Sequence, residues 1–218
     1  MNIAIIMDGN RRFAAKNLLS TLSGHQNGFK NLLNIASIAP KFWVKTLTLY
    51  ALSTENFKNR DSSEIANICM IVQKGLEQYS QKLIDDKVKV EFLGNLTVFS
   101  PELQELIESI TTRTRDNTLL TLQICLNYGG RDEIVQAVNK LLNKTEVSEE
   151  DITNALYTPI EPDLIIRTGG DIRLSNFLTW QSVYSELYFT DKLWPEFTQA
   201  DFAEAINEYR GKKRRFGS

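Results

Sequence analysis

Residues 3–12 read IAIIMDGNRR, an apolar run that passes straight into an acid, a glycine, an amide and two arginines. The run is short and β-rich, so it reads as a buried strand that ends on a carboxylate. Four further runs have the same character: 44–52 (VKTLTLYAL), 88–94 (VKVEFLG), 119–127 (LLTLQICLN) and 163–167 (DLIIR). Between them, 25–39 and 64–85 space apolar residues at three and four, the period of an amphipathic helix. Residues 101–115 follow Ser100 and open on Pro101, a helix cap with proline in the first turn. Residues 130–143, 148–156 and 198–210 also read as helices, the last capped by Thr198. Strands alternating with helices predict parallel strands joined by crossovers, hence a single α/β domain over 1–218 with helices on both faces of the sheet.

Open sheets of this class bind ligands at the carboxyl ends of their strands. There the sequence places MDGNRR (7–12), STENFKNR (53–60), NYGGRDE (127–133) and RTGGDIRLSNF (167–177). Any one of these loops is explained by turn-making Gly and Asn. Four together, each carrying an arginine or an acid, point to a basic pocket. Arginine forks and backbone amides suit phosphate, and glycine lets the backbone approach it. One acid among arginines suggests Mg²⁺, which takes one or two carboxylates plus phosphate oxygens.

Composition excludes several classes. A net charge of −2 disfavours bulk nucleic-acid binding. Cys69 and Cys125 are isolated in apolar stretches and read as reduced core thiols in a cytoplasmic protein, without a zinc site. No run reaches the roughly 18–20 apolar residues of a membrane span, and no leader peptide is expected. GxxxxGK[ST] and GxGxxG are both absent. Asp85 and Asp86 in DDKVK lack a third acid at the fifth position and read as a solvated helix end.

Five segments carry a resemblance: IAIIMDGNRRFA (3–14), LTLYALSTENF (47–57), NYGGRDEI (127–134), DLIIRTGGDIRLSNFLTWQ (163–181) and YSELYFTDKLWPEF (184–197). In order and spacing they resemble the cis-prenyltransferase family, the bacterial undecaprenyl diphosphate synthases in particular. The resemblance implies a homodimer with a six-stranded, mainly parallel sheet and an apolar tunnel beside it. It implies Mg²⁺-dependent addition of isopentenyl diphosphate to an allylic diphosphate, usually farnesyl diphosphate, with cis double bonds. A long polyprenyl product such as undecaprenyl diphosphate, the cell-wall lipid carrier, would leave through transient contact with membrane lipid.

Carried over by position, Asp8 would bind Mg²⁺ and act in catalysis, with Glu186 as a second metal-linked acid. Gly9, Asn10, Arg11, Arg12 and Phe13 would surround the allylic diphosphate, with His25 nearby. Ser53, Thr54, Glu55, Asn56 and Phe57 would lie near the reacting carbons, Asn56 with a catalytic role. Arg167, Arg173 and Ser175 would clamp isopentenyl diphosphate. Arg60 or Asn59 would fill the place of a loop arginine, with charge favouring Arg60. Arg11 stands where many bacterial members have Gly, and Thr21 where Arg is common, so Arg11 is the natural substitute for a lost contact. Released diphosphate, His25 and Asn56 are the alternatives for handling the proton. Ile65, Ile68, Cys69 and Val72 of the 64–85 helix, with Leu47, Leu49, Leu120 and Ile124 of the strands, are offered as tunnel wall, although core packing explains each equally well. The basic C-terminus KKRRFGS (212–218) would reach the partner subunit's site.

Three rival readings stand beside this one. They are a non-catalytic accessory subunit of the same fold, an RNA- or membrane-binding module, and a phosphatase with Asp8 as nucleophile.

Overall fold

A computed structural model describes residues 1–212 of the chain. Six strands form one sheet: β1 (Asn2–Ile6), β2 (Thr46–Ser53), β3 (Val88–Leu93), β4 (Leu120–Tyr128), β5 (Leu164–Arg167) and β6 (Glu186–Phe189). Their order is β3-β4-β2-β1-β5-β6, and every pairing is parallel. The helices are α1 (Asn10–Lys16), α2 (Thr21–Ile38), α3 (Thr54–Asn59), α4 (Ser62–Asp85), α5 (Pro101–Thr114), α6 (Gly130–Lys140), α7 (Glu149–Ala155) and α8 (Gln199–Gly211).

Alternation along the strands builds two layers of core. Ile3, Ile5, Leu47, Leu49, Leu122 and Ile166 face α2, α4, α5 and α8, which contribute Leu32, Ile35, Ile68, Leu76, Ile107, Phe202 and Ile206. Ala4, Ile6, Tyr50, Cys125 and Ile165 face the opposite layer, filled by Tyr128, Phe177 and Leu178. Burial on both faces is why β1 reads as a continuous apolar run. Each fully buried Ile contributes about 1.5–3 kcal/mol.

The sixth strand implied by the resemblance is β6. Periodicity missed it because it is four residues long on a sheet edge and only partly buried. Two short helices, α1 and α3, occupy segments that read as loops. Helix α2 begins at Thr21, four residues before the predicted start, because Ser20 Oγ accepts from Ser23 N at 3.2 Å. Helix α6 stops at Lys140 instead of 143.

Candidate active site

After β4 the chain crosses β1 to build the other half of the sheet, so connections leave β1 and β5 in opposite directions. That juncture is the switch point at which such sheets bind ligands. Asp8, just past β1, and Arg167, the last residue of β5, meet there, with Arg167 Nη2 3.0 Å from Asp8 Oδ2. Gly9 turns the chain with φ 114°, and a Cβ there would sit 2.9 Å from the Leu193 backbone, so side chains are excluded. The turn is fixed by Thr168 Oγ1, which donates to Asp8 O at 2.7 Å.

The arginines are held in distinct ways. Arg167 is 4% exposed and also donates to Arg173 O at 2.6 Å and Ser175 Oγ at 2.8 Å. Its buried Nε has no partner. Arg12 lies 3.1 Å from Asp8 Oδ1 and donates to Gly169 O at 2.5 Å. Arg173 pairs with Asp171 at 2.7 Å. Arg11 is exposed and makes no hydrogen bond or ion pair among the described residues; it shares a cavity with Thr21, whose lost contact it was expected to replace.

His25 Nε2 lies 3.1 Å from Glu64 Oε1, and Arg60 Nη1 lies 2.9 Å from the same oxygen. Burial pushes the His25 pKa below its ordinary 6.5 against the pull of Glu64, so the ring is neutral at pH 7. Arg60 lines both cavities described below, whereas Asn59 is exposed.

Two adjoining cavities open at the strand ends. One, about 660 Å³, is lined by Gly9, Arg11, Arg12, Thr21 and Asp171 among others. The second, about 570 Å³, is lined by Ser53, Glu55, Asn56, Arg167 and Ser175. Met7, Asp8, Asn10, His25, Arg60 and Arg173 line both. Ser53 Oγ caps α3 by accepting from Asn56 N at 3.0 Å, which ties both to the site. Ser175 and Asn176 hold positive φ of 51° and 66°, a strained turn of the kind found at ligand sites.

Other expected site residues fall elsewhere. Phe13 and Thr54 line neither cavity. Phe57, partly buried, packs edge-on against Phe99 at 5.8 Å, against the core. Glu186 opens β6 level with Leu164, three residues back from Arg167 and so about 10 Å from the site end of β5. Glu186 lines neither of the two cavities described above. Lys212 Nζ instead lies 3.3 Å from Glu186 Oε2. The rest of the C-terminal tail lies outside the described residues.

Among the described residues no cluster of three or more His, Cys, Asp or Glu could cage a metal ion. Asp8 offers one carboxylate, and the buried Asn10 Oδ1 beside the same cavities lacks a partner. One carboxylate with phosphate and water oxygens suits Mg²⁺, so the residues fit an ion that arrives with a diphosphate.

Sequence reasoning missed three residues. Glu64 unites His25 and Arg60; its signal was the i,i+4 spacing from Arg60 on a helix face. Asp171 joins the arginine cluster, and its position inside the Gly-rich loop was the clue. Asn176 donates to Glu55 Oε1 at 2.8 Å and accepts from Arg131 N at 2.9 Å, which joins three loops. No local pattern announces that role.

Residues 6–217 match a family described as "Putative undecaprenyl diphosphate synthase". An isoprenyl transferase of Oceanobacillus iheyensis is 42% identical over 99% of this chain and 89% of its own. A ditrans,polycis-undecaprenyl-diphosphate synthase ((2E,6E)-farnesyl-diphosphate specific) of Pasteurella multocida is 42% identical over 99% and 94%. The crystal structure of lavandulyl diphosphate synthase from Lavandula x intermedia, in complex with dimethylallyl diphosphate, superposes with a TM-score of 0.95. It is 32% identical and covers 100% of this chain and 98% of that one. With this fold, this arginine-lined switch point and these relatives, the chain belongs to the undecaprenyl diphosphate synthase family of prenyltransferases and is a transferase.

Proposed function

We propose that the crevice between β1 and β5 joins isopentenyl diphosphate to an allylic diphosphate, with Mg²⁺ bound at Asp8. The observation that carries the reading is the pair of adjoining cavities that share Asp8, Arg60 and Arg173. They give room for two diphosphates around one acid. The allylic diphosphate lies with Gly9, Asn10, Arg11 and Arg12. Isopentenyl diphosphate lies with Arg167, Arg173 and Ser175.

The allylic C–O bond breaks, a C–C bond forms, and a proton leaves the new chain. Arg12 and Arg60 stabilise the departing anion as its charge develops, in a site partly shielded from water. When bound, Mg²⁺ adds positive charge at the same diphosphate. Released diphosphate takes the proton; neutral His25, and Asn56 in the same cavity, stand as assistants.

The farnesyl primer, the cis geometry, the long undecaprenyl-type product and its use as the cell-wall lipid carrier are part of the proposal, supported by the names of the relatives. Incubation with farnesyl diphosphate, labelled isopentenyl diphosphate and Mg²⁺ should yield labelled, solvent-extractable polyprenyl diphosphate; no incorporation by folded protein would reject the reading. Assembly of Asp8, the arginines and His25 in one place weighs against the accessory-subunit alternative. Incorporation would also set aside a phosphatase or an RNA-binding module.

We also propose a homodimer. Val135, Val138 and Leu142 on and just after α6, and Val183 before β6, are exposed. Gln181 Nε2 bonds Glu133 at 3.2 Å, which makes these segments neighbours. A second copy on this face would cover them. Val138→Asp should halve the sedimenting mass; an unchanged dimer would place the interface elsewhere. No helix among the described residues is long and apolar enough to cross a membrane. Cytoplasmic action with transient lipid contact completes the proposal.

A further inference from the structure

We propose that Asn176 is a positioning residue for isopentenyl diphosphate, and that Glu55 acts through it instead of touching substrate. Both roles rest on the prenyl-transfer reading above. Helix α6 begins at Gly129, an N-cap with no side chain to accept from the first free N–H groups. Asn176 supplies that cap from another loop. Its O accepts from Gly130 N at 2.7 Å, and its Oδ1 accepts from Arg131 N at 2.9 Å. Its Nδ2 donates to Glu55 Oε1 at 2.8 Å. One residue thus fastens together the loops that follow β2, β4 and β5. The two glycines of NYGGRDE (127–133) make room for this clasp. A Cβ at Gly129 would lie 2.8 Å from Asn176 Nδ2, and one at Gly130 would lie 2.7 Å from Thr179 N. These glycines, expected to admit phosphate, admit a neighbouring loop.

What the clasp holds is the turn at Ser175. Ser175 and Asn176 both lie at positive φ with no glycine between them. Such a pair persists only where its surroundings hold it. Ser175 Oγ accepts from Arg167 Nη1 at 2.8 Å, so the turn helps set the buried guanidinium. Glu55, Asn176, Arg167 and Ser175 all line the cavity given above to isopentenyl diphosphate, and none of the four lines the other cavity. Loss of the clasp therefore acts on isopentenyl diphosphate and spares the allylic diphosphate. Burial would raise the Glu55 pKa, yet hydrogen bonds from its own backbone and from Asn176 hold it below the ordinary 4.5. Asn176 thus donates to an ionised carboxylate at pH 7.

Steady-state kinetics with farnesyl diphosphate, isopentenyl diphosphate and Mg²⁺ test this on wild type, Asn176→Asp, Glu55→Gln and the double variant, with Tm measured beside them. Aspartate tolerates the left-handed backbone as asparagine does and can still accept from Arg131 N, but it sets a second carboxylate against Glu55. Asn176→Asp should raise KM for isopentenyl diphosphate at least about tenfold and change KM for farnesyl diphosphate less than about twofold. Asn176→Ala, which removes the bonds without adding charge, should show the same split. Glu55→Gln keeps an accepting oxygen and should raise KM less than Asn176→Asp does. In the double variant the introduced amide donates to the introduced carboxylate, so the bond is remade with donor and acceptor exchanged. KM for isopentenyl diphosphate should return to within about threefold of wild type. Equal rises in both KM values, or a lowered Tm with both KM values unchanged, would reduce the clasp to a structural role and overturn the proposal. A folded double variant no better than Asn176→Asp would overturn the action of Glu55 through Asn176. Both results leave the prenyl-transfer reading intact. Folded wild type that incorporates no isopentenyl diphosphate would refute that reading and this proposal with it.

Discussion

Asp8→Asn separates the two tasks assigned to Asp8, holding arginines and holding Mg²⁺. The carboxylate is 30% exposed and meets Arg12, which is half exposed, and Arg167, which is 4% exposed. The Arg12 pair is a surface pair that contributes at most about 1 kcal/mol. The Arg167 pair is deeper, but the amide oxygen still accepts one bond and Asp171 remains 3.4 Å away. We therefore expect a cost of roughly 1–2 kcal/mol, well under the 3–5 of a broken buried pair. For a chain of this size that lowers Tm by about 2–8 °C. Added pyrophosphate at 100 times its Kd contributes about 2.7 kcal/mol, or about 5–11 °C. Asp8→Asn should keep or increase this metal-free shift, because Arg12 and Arg167 are released to the anion. Adding Mg²⁺ should raise Tm further in wild type and not in the variant. A full Mg²⁺ increment in Asp8→Asn would refute the assignment of the ion to Asp8.

Other expectations follow from the same geometry. Burial raises the Glu133 pKa above its ordinary 4.5, despite bonds from Tyr128 and Gln181. The native state then holds this proton to higher pH than the unfolded chain, so the site's contribution falls as pH rises from about 4.5 through the native value. Glu133→Gln mimics the protonated form and should flatten that decline in urea unfolding at pH 5 and pH 8; identical slopes would contradict it. Arg60→Ala removes one charge-assisted contact, worth about 1.5–3 kcal/mol or 10- to 150-fold in kcat/KM. Asn59→Ala should change kcat/KM less than twofold, by about 0.4 kcal/mol at most; the reverse ranking would return the loop-arginine place to residue 59.

Much of the fold was legible because its signals are local. Ile3 to Ile6 bury on both faces, so β1 is apolar throughout, and Pro101 and Thr198 mark helix starts that the structure keeps. Strand β6 was not legible by pattern, since an edge strand with half-exposed side chains lacks a strict period. The strand-end rule located Asp8 and Arg167 before any coordinates, because sheet topology dictates where loops converge. It could not pair Glu64 with His25, which lie 39 residues apart, or set Phe57 against Phe99. Leu47 and Leu120, offered as tunnel wall, are buried core side chains, whereas Ile68 and Val72 line an apolar pocket.

The central claim is that the Asp8–Arg167 crevice performs cis addition of isopentenyl diphosphate. The most direct measurement is carbon-13 NMR of the product formed from farnesyl diphosphate and labelled isopentenyl diphosphate, run beside Asp8→Ala. The account predicts new cis double bonds from the wild type and no product from the folded variant. Trans double bonds, or an Asp8→Ala variant as active as wild type, would contradict it.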